Sequence, residues 1–442
     1  MRLRSAIPFL RDCFDSHSVL LFEVMKNYDV VVFGGGTAGV IAAIQAARAG
    51  ASTLLVEKNG MLGGTITMAG ISAPGHFFAW GKQVISGIGW ELARRTIEME
   101  GRPVPTPDYT RDNDKPHHVP MDKVLYAIVC DEAILKAGVE PLYHAMPAEI
   151  AWRDGWKIRL CTKTGLRAIE AKVVIDATGD ANAVAMAGFE VVRPAIQQPA
   201  TLSMRISGYD LEKLDIPALK AAADAAIAAG ELKSTDLSWR NTGPESFLRS
   251  RGGNANHLHA EGADTSEGRT AAEIEGRQTM ARMYRFFKKQ PGLEQFRIEW
   301  VCPEVGIRET CTIKGKATMT VADYESGRVY PDAVCYAYYN IDEHLNDGAG
   351  INYRRLKPTV VPTIPRGALL PAGSRFLLVA GRCVASDRET NSAVRVECPC
   401  MAMGQAAGVM AALSARTGVD PEALPLADIR TLLEKHGAIV PA

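Results

Sequence analysis

The residues from 30 to 39 constrain the fold more than any other stretch of this chain. Val30 to Phe33 is an uninterrupted apolar run, which is typical of a parallel strand covered on both faces. The run leads into Gly34, Gly36 and Gly39, which have the G-x-G-x-x-G spacing. In that motif the first glycine allows a tight turn, the second lets the backbone approach a pyrophosphate, and the third allows close helix–strand packing. The stretch therefore predicts the start of a dinucleotide-binding βαβ unit.

The following residues complete this unit. An Ala-rich helix is predicted from Thr37 to Ala49, ended by Gly50. The N–H groups of its first turn can bind a diphosphate. A second apolar strand, Ser52 to Val56, then leads to Glu57, where an acidic side chain can accept hydrogen bonds from ribose hydroxyls. An ordinary βαβ unit with a glycine-rich turn is the alternative.

Composition restricts the partners of the chain. Lys plus Arg and Asp plus Glu both total 50, so the net charge is zero. This removes any bulk electrostatic argument for nucleic acid or a membrane surface as partner, and we expect a small-molecule substrate instead. Self-association into a homo-oligomer stays open. The nine cysteines have no C-x-x-C spacing, and without an export signal they indicate a cytoplasmic location.

The 442 residues are 47% hydrophobic and suggest more than one packed unit. We expect an α/β fold with a Rossmann-like domain, a parallel sheet covered by helices, and an inserted, more β-rich substrate or cap domain. The predicted divisions are an N-terminal extension (1–26), the first part of the main domain (27–193), the insert (194–358) and the C-terminal part of the main domain (359–442).

Several elements are predicted outside the first unit. Asp154-Gly155 predicts a hairpin turn, and a third strand leads into Asp176-Ala177-Thr178-Gly179-Asp180, where small residues allow a second close approach to a nucleotide. The remaining predictions are insert strands over 200–206, 297–301 and 317–321 and a small-residue helix over 401–415.

These motifs together resemble a known family. The sequence is similar to FAD-dependent oxidoreductases related to the flavoprotein subunit of fumarate reductase and succinate dehydrogenase and to the glucose-inhibited division protein. The matching parts are Tyr28–Gly39, Gly60–Gly70, Lys82–Arg94, Val173–Asp180, Gly306–Thr310 and Leu377–Gly408. No stretch reproduces the dicarboxylate-clamping pattern of the better-known relatives, which argues against a succinate-like substrate.

The resemblance implies FAD as the cofactor and assigns its contacts. The adenosine and diphosphate end would meet Gly34, Gly36, Thr37, Ala38, Gly39, Glu57, Lys58, Ala145 and Met146. The ribityl chain and ring would meet Gly63, Gly64, Thr65, Gly381 and Arg382, and the second close approach to the nucleotide would come from Ala177, Thr178 and Gly179. Cys400 and Met401 would start a helix whose N-terminus faces the pyrimidine edge of the flavin, where reduction places negative charge.

Two side chains are candidates for catalysis. Arg308 can bind a carboxylate or stabilise an enolate; its alternative role is a structural ion pair with Glu309 or another acid. His76 can act as a base near neutral pH; its alternative role is packing in an aromatic stretch. We predict no metal site, because His117-His118 and His257-x-His259 lack an evident third ligand.

The sequence therefore favours an FAD-dependent dehydrogenase or reductase. It would pass hydride between flavin N5 and a small polar metabolite, with carboxylate-bearing compounds among the candidates. One alternative is a flavin-dependent RNA-modifying protein, against which the lack of a basic stripe argues. The other is an NAD-dependent dehydrogenase that uses the same βαβ unit.

Overall fold

The computed structural model of the chain describes residues 26–106, 118–238, 243–346 and 350–442. The predicted extension therefore lies outside the described residues, apart from Lys26. Two short 3₁₀ turns occur at Leu211–Lys213 and Arg366–Leu369. The described strands are β1 (Lys26–Phe33), β2 (Thr53–Glu57), β3 (Phe78–Ala79), β4 (Lys82–Gln83), β5 (Glu140–Tyr143), β6 (Met146–Trp152), β7 (Trp156–Thr162), β8 (Gly165–Asp176), β9 (Val191–Val192), β10 (Met204–Ser207), β11 (Gly252–Gly253), β12 (Arg297–Val301), β13 (Thr312–Ile313), β14 (Ala333–Tyr336), β15 (Ile341–His344), β16 (Ile351–Arg354), β17 (Thr363–Pro365) and β18 (Leu377–Val379).

Helices cover the main sheet and make up much of the insert. In chain order they are α1 (Thr37–Arg48), α2 (Ile88–Met99), α3 (Lys123–Ala137), α4 (Asn182–Met186), α5 (Ile216–Ala228), α6 (Ser234–Leu237), α7 (Gly243–Arg249), α8 (Ser266–Lys288), α9 (Val321–Ser326), α10 (Arg388–Val394), α11 (Glu397–Thr417) and α12 (Leu426–Lys435).

The main sheet has the order β5-β2-β1-β8-β7-β6, with β18 also paired to β8. The pairs from β5 to β8 and the β8–β18 pair are parallel, whereas β8–β7 and β7–β6 are antiparallel. Val30 lies opposite both Thr53 and Val173. All four residues from Val30 to Phe33 are fully buried, as a central strand covered on both faces requires. The predicted α/β fold with a parallel sheet is confirmed.

The hairpin predicted at Asp154-Gly155 is also confirmed. It joins β6 to β7, and both turn residues have positive φ angles, 54° at Asp154 and 123° at Gly155. This backbone conformation matches the twist of the two strands and suits glycine in particular.

Helix α11 packs directly against α1 through small residues. A Cβ atom on Gly404 would lie 2.2 Å from the carbonyl oxygen of Ala38, and one on Gly408 would lie 2.5 Å from that of Ala42. The two backbones can approach this closely only because both positions lack a side chain. By length and composition α11 alone among the described helices could cross a membrane, but 94% of its apolar window is buried inside the protein.

The start of α11 corrects one prediction. The sequence predicts a helix from Met401, but the helix begins at Glu397. Pro399 therefore lies in the first turn, where its missing N–H group costs no intrahelical hydrogen bond. Cys400 consequently belongs to the first turn, and Met401 to the second.

The insert has two small cores of its own. One is built from residues between Met204 and Phe296 and the other from residues between Ala200 and Ile307, whereas residues from Cys311 onward join the main core. The domain boundaries remain a prediction. The expected β-rich character needs correction, because the 23-residue helix α8 is longer than β10, β11 and β12 together.

Two insert strands also differ from prediction. The stretch 317–321 is not a strand: Val321 starts helix α9, which the side chain of Thr320 caps by accepting a hydrogen bond from the Asp323 N–H. The strand predicted over 200–206 is shorter, since β10 begins at Met204 and Ala200 forms only an isolated bridge with Leu258. The strand at 297–301 is confirmed as β12.

Candidate functional site

A cleft of about 870 Å³ runs between the carboxyl ends of β1, β2 and β8, the start of α11 and the facing loops of the insert. Fourteen of the predicted cofactor contacts line it, together with Arg308. These contacts are Gly34, Gly36, Thr37, Ala38, Glu57, Lys58, Gly64, Thr65, Ala177, Thr178, Gly179, Gly381, Arg382 and Cys400. Open α/β sheets bind ligands at this edge, outside the carboxyl ends of the strands.

The three glycines of the first turn have separate roles. Gly34 has a φ angle of 94°, and an added Cβ would lie 2.4 Å from the carbonyl oxygen of Ala177. A Cβ on Gly39 would lie 1.8 Å from the carbonyl oxygen of Gly34, so this glycine allows α1 to pack on the turn. At Gly36 the nearest atom is Gly64 Cα at 3.9 Å. A Cβ there would fill cleft space, as the pyrophosphate position of the motif requires.

The start of α1 offers unused hydrogen-bond donors. Gly36 is the N-cap and provides no side chain to cap the helix. Within the described residues, the N–H groups of Thr37 and Ala38 have no acceptor. Free N–H groups and the positive end of the helix dipole together form an anion site. The turn therefore fits a diphosphate.

Glu57 ends β2 and its carboxylate is fixed by the backbone. The Gly35 N–H donates to its Oε2 atom at 2.6 Å, and the Asn59 N–H donates to Oε1 at 2.8 Å. The residue is only 6% exposed, and this burial raises the pKa of Glu57, which the two backbone hydrogen bonds oppose. Each oxygen keeps a lone pair for a ribose hydroxyl.

Asp180 joins the second nucleotide-facing loop to the insert. Its Oδ1 accepts hydrogen bonds from Arg382 Nη2 at 2.5 Å and from Thr310 Oγ1 at 2.9 Å, and its Oδ2 pairs with Arg269 of α8 at 2.9 Å. Arg382 also donates to the carbonyl oxygens of Gly179 and Ile307. One carboxylate thus holds both sides of the cleft together.

Two arginines line the cleft, Arg308 from the insert and Arg395 from the end of α10. Arg308 is 6% exposed and donates to the Pro199 carbonyl oxygen at 2.7 Å and to Asn254 Oδ1 at 3.0 Å. Arg395 donates to Gln198 Oε1 and to the Asp342 carbonyl oxygen, both at 3.3 Å. Neither guanidinium forms an ion pair with a carboxylate of the described residues, so Arg308 does not pair with Glu309, which instead binds Arg388.

Burial and the positive charge of Arg395 lower the pKa of Arg308, Asp342 acts in the opposite direction, and the resulting pKa is about 9. Arg308 therefore remains positively charged at neutral pH. Five N–H donors are available on a guanidinium, and two of those on Arg308 are used by the described residues. The cleft therefore holds donors and positive charge that suit an anionic ligand.

A short hydrogen-bonded chain lies beside these arginines. His257 Nε2 and His344 Nδ1 are 2.8 Å apart, and His344 Nε2 lies 3.5 Å from Asp342 Oδ2. Burial, together with the positive charge of Arg308, lowers the pKa of both imidazoles, to about 2 at His257 and about 3 at His344. Burial also acts to raise the pKa of Asp342, but the His344 hydrogen bond and the arginines outweigh it and lower the pKa. Asp342 is therefore a fixed carboxylate.

Some predicted site residues do not line the cleft. His76 is 4% exposed and its ring contacts His118, Tyr338 and Tyr339 at centroid distances of 5.0 to 5.6 Å. His118 and Tyr339, rather than His76, line the cleft. The other predicted contacts outside its lining are Gly39, Gly63, Ala145, Met146 and Met401.

These predicted contacts lie outside the cleft lining for different structural reasons. Gly39 packs against the turn, and a Cβ on Gly63 would meet the Thr67 side chain at 2.6 Å. Met401 lies against Gly89, and Met146 is 49% exposed. The assignment of all these residues to the cofactor stays a prediction.

Sequence reasoning missed several residues of the cleft wall. His257, which the sequence presents only as part of an incomplete metal site, is buried, and its Nε2 lies 2.8 Å from His344 Nδ1. No sequence motif includes Asp342, His344 or Tyr339. His118 belongs to a stretch predicted as a polar loop, and its neighbour His117 lies outside the described residues. The one local signal for Glu397 is Pro399, which is typical of a first helical turn.

No group of three or more His, Cys, Asp or Glu side chains in the described ranges is arranged to hold a metal ion.

The parallel sheet, the glycine turn and the fixed acid at the end of β2 define a dinucleotide-binding oxidoreductase. The chain belongs to the FAD dependent oxidoreductase family, which it matches over residues 29–433. It is an FAD-dependent oxidoreductase with FAD as its cofactor, which favours FAD over the nicotinamide alternative. When bound, FAD supplies the two-electron chemistry at its isoalloxazine ring.

Individual relatives match only short parts of the chain. Dihydrolipoyl dehydrogenase of Trypanosoma brucei brucei is 53% identical over 49 residues, 11% of this chain and 10% of the relative. Mitochondrial dihydrolipoyl dehydrogenase of Schizosaccharomyces pombe is 36% identical over 75 residues, 17% of this chain and 14% of the relative. A geranylgeranyl bacteriochlorophyll reductase-like protein of Thermoplasma acidophilum is a solved structure with 14% identity, covering 93% of this chain and 82% of its own, with a TM-score of 0.40.

Proposed function

We propose that this FAD-dependent oxidoreductase transfers hydride between flavin N5 and a small carboxylate-bearing metabolite. The observation that carries the proposal is the pair of cleft-facing arginines, Arg308 and Arg395, neither of which has a carboxylate partner within ion-pair distance in the described chain. A buried guanidinium without a counter-ion is costly. A substrate carboxylate would satisfy the unused donors of both side chains.

The residues around the cleft divide into two groups by their chemistry. The α1 turn, Glu57 and Lys58 provide anion and hydroxyl sites for the adenosine and diphosphate half of the cofactor. Arg308 and Asn254 of the insert and Arg395 at the end of α10 also line the cleft, and we place the substrate between them and the redox ring. From the motifs at 63–65, 176–180 and 381–408 we also propose kinship with the fumarate reductase flavoprotein and the glucose-inhibited division protein.

The test is anaerobic bleaching of the FAD-loaded protein by matched compounds. We expect 2-hydroxy and 2-amino carboxylates to bleach the flavin, and the corresponding amides, which lack the charge, to fail. Bleaching by amides and carboxylates alike would contradict a carboxylate site.

Arg308 can be tested directly. The Arg308→Gln variant should raise the KM for the carboxylate by about tenfold to a hundredfold, since hydrogen bonds to charged groups contribute about 1.5–3 kcal/mol. Arg308→Lys should recover part of the loss, because it keeps the charge without the planar fork. Arg277→Gln is the matched control: it removes a positive charge from the exposed face of α8 and should leave the KM unchanged. If all three variants had the KM of the wild-type protein, Arg308 would not bind the substrate carboxylate.

A further inference from the structure

Glu397 differs from every other acidic residue of the described cleft wall. The others all have partners: Glu57 binds two backbone N–H groups, Asp180 binds two arginines, Glu304 binds Lys58 and Asp342 binds His344. The Glu397 carboxyl forms no ion pair and no side-chain hydrogen bond with another described residue; it accepts a hydrogen bond from its own backbone N–H, and the charge of Arg395 acts on it. The residue is nevertheless 93% buried, with 7% of its surface exposed.

The position of Glu397 is fixed by the first turn of α11. Val396 is the N-cap and caps with no side chain, and the Cys398 N–H donates to the Pro74 carbonyl oxygen at 3.0 Å. Glu397 thereby lines the cleft together with Arg395 and Cys400. A carboxylate has about four acceptor sites, and no side chain of another described residue uses those of Glu397, so a ligand in the cleft can bind there.

We propose that Glu397 is the residue that exchanges a proton with the substrate when hydride passes between the substrate and the flavin. This inference rests on the function proposed above. Arg308 and Arg395 would hold the substrate carboxylate, and Glu397 would face the hydroxyl or amino group on the neighbouring carbon.

The atoms and electrons balance in both directions. In oxidation, the substrate C–H bond breaks and its hydrogen leaves with both electrons for the FAD. The O–H or N–H bond on the same carbon breaks as well, its electron pair forms the new C=O or C=N bond, and its proton goes to a Glu397 carboxylate oxygen. In reduction the protonated Glu397 returns that proton to the substrate.

The electrostatic surroundings of Glu397 support this role. Burial raises the pKa of Glu397 to about 7, and the positive charge of Arg395 opposes the rise. The other titratable groups that interact with it are Tyr126 of α3, Tyr339 before β15, and Cys398 and Cys400 of its own helix. Burial raises the pKa of each of these four, so all stay neutral at pH 7. Both protonation states of Glu397 are therefore populated near neutral pH, as a proton-exchanging group requires.

The experiment measures anaerobic reduction of the FAD-loaded full chain by glycolate, lactate, malate and alanine across a range of pH. For wild-type protein we expect the reduction rate to rise with pH through about 7, because oxidation needs the carboxylate form. Glu397→Gln should lower the rate about a hundredfold, the lower range for lost general acid–base catalysis, and should abolish this pH dependence. Glu397→Asp should keep the pH dependence at a reduced rate.

A second readout does not depend on activity. In the unfolded chain the Glu397 carboxyl titrates near its ordinary pKa, whereas in the folded protein its pKa is higher. The free energy of unfolding of the wild-type protein should therefore fall, relative to that of Glu397→Gln, as the pH rises from about 4.5 to about 7. Infrared difference spectra, wild type minus Glu397→Gln, should show one carboxyl that titrates over the same range as the rate. Glu267→Gln is the control, because Glu267 lies in the first turn of α8 on the surface.

The outcomes separate the two proposals. If wild-type protein is reduced by a carboxylate while Glu397→Gln is reduced at the same rate with the same pH profile, the role of Glu397 is refuted and the proposed function stands. If the carboxyl titrates far from the pH at which the rate changes, the role of Glu397 is likewise refuted. If none of the four carboxylates reduces the wild-type flavin, both proposals fail together. Wild-type flavin content and a single cooperative melting transition show that Glu397→Gln is folded.

Discussion

At the scale of single residues, Gly36 and Gly39 differ in what a methyl group would meet. An added Cβ at Gly36 has no atom within 3.8 Å and only Gly64 Cα at 3.9 Å, and the backbone there, with φ −72°, accepts any residue. At Gly39 the same atom would lie 1.8 Å from a carbonyl oxygen. The first glycine therefore matters for the ligand and the second for the fold.

Alanine substitutions should separate these two roles. We expect Gly36→Ala to change the free energy of unfolding of the cofactor-free protein by less than about 0.5 kcal/mol and to weaken FAD binding about tenfold to a hundredfold. Gly39→Ala should cost about 3 kcal/mol or more of unfolding free energy, because the clash is with backbone. Urea unfolding and fluorescence titration with FAD measure both effects. Undiminished FAD affinity in Gly36→Ala would show that the diphosphate does not approach this turn.

Whether a site residue could be predicted from the sequence depends on whether its partners lie near it in the chain. Gly34, Gly36 and Glu57 carry local signals, because the turn, the strand end and their spacing lie within one βαβ unit. His344, Asp342 and His257 come together only when β15 and the insert loop fold against the main domain. Their residue types have no fixed spacing, so no pattern in the chain indicates that they share a site.

At the scale of elements, the contact of α1 with α11 depends on two positions without side chains. Helix propensity alone would favour alanine over glycine at both by about 1 kcal/mol. The Cβ of an alanine at Gly404 would instead lie 2.2 Å from the Ala38 carbonyl oxygen. Such a backbone clash outweighs the gain in propensity, since overpacking costs about 1–3 kcal/mol.

Gly404→Ala should therefore lower the free energy of unfolding by about 1–3 kcal/mol. Ser414→Ala on the same helix is the matched control. The Ser414 hydroxyl is buried and has no hydrogen-bond partner among the described residues, so its removal should leave stability unchanged or raise it. Chemical denaturation of both variants measures the difference. A stabilised Gly404→Ala variant would show that the two helices can separate at little cost.

The elements also show where a sequence pattern is sufficient to predict secondary structure and where it is not. The β6–β7 hairpin follows from two residues whose backbone preference is local. The strand predicted over 317–321 instead failed because Thr320 can cap a helix at Val321, and short apolar runs do not distinguish the two structures. Helix α11 begins four residues before the predicted start at Met401, because Pro399 fits the first turn of a helix, where its missing N–H costs no hydrogen bond.

At the scale of the whole molecule, Asp180 couples the insert to the main domain. Its carboxylate, 12% exposed, neutralises Arg382 beside β18 and Arg269 of α8. Removing its charge leaves two guanidinium groups close together without a counter-ion, and breaking such a buried network costs about 3 kcal/mol or more. The lost free energy belongs to the contact between the insert and the main domain and not to the hydrophobic core of either part.

Asp180→Asn should therefore loosen the position of the insert while each core stays folded. We expect faster amide hydrogen exchange in the 176–180 loop and in the first turns of α8, together with faster loss of FAD, because the same loop lines the cleft. Asp236→Asn is the contrast: Asp236 is fully buried and pairs with Arg282 inside the insert, so its exchange changes should stay within α6 and α8. If Asp180→Asn and Asp236→Asn gave the same exchange pattern, the insert would behave as one unit with the main domain, and the Asp180 contacts would add nothing to their coupling.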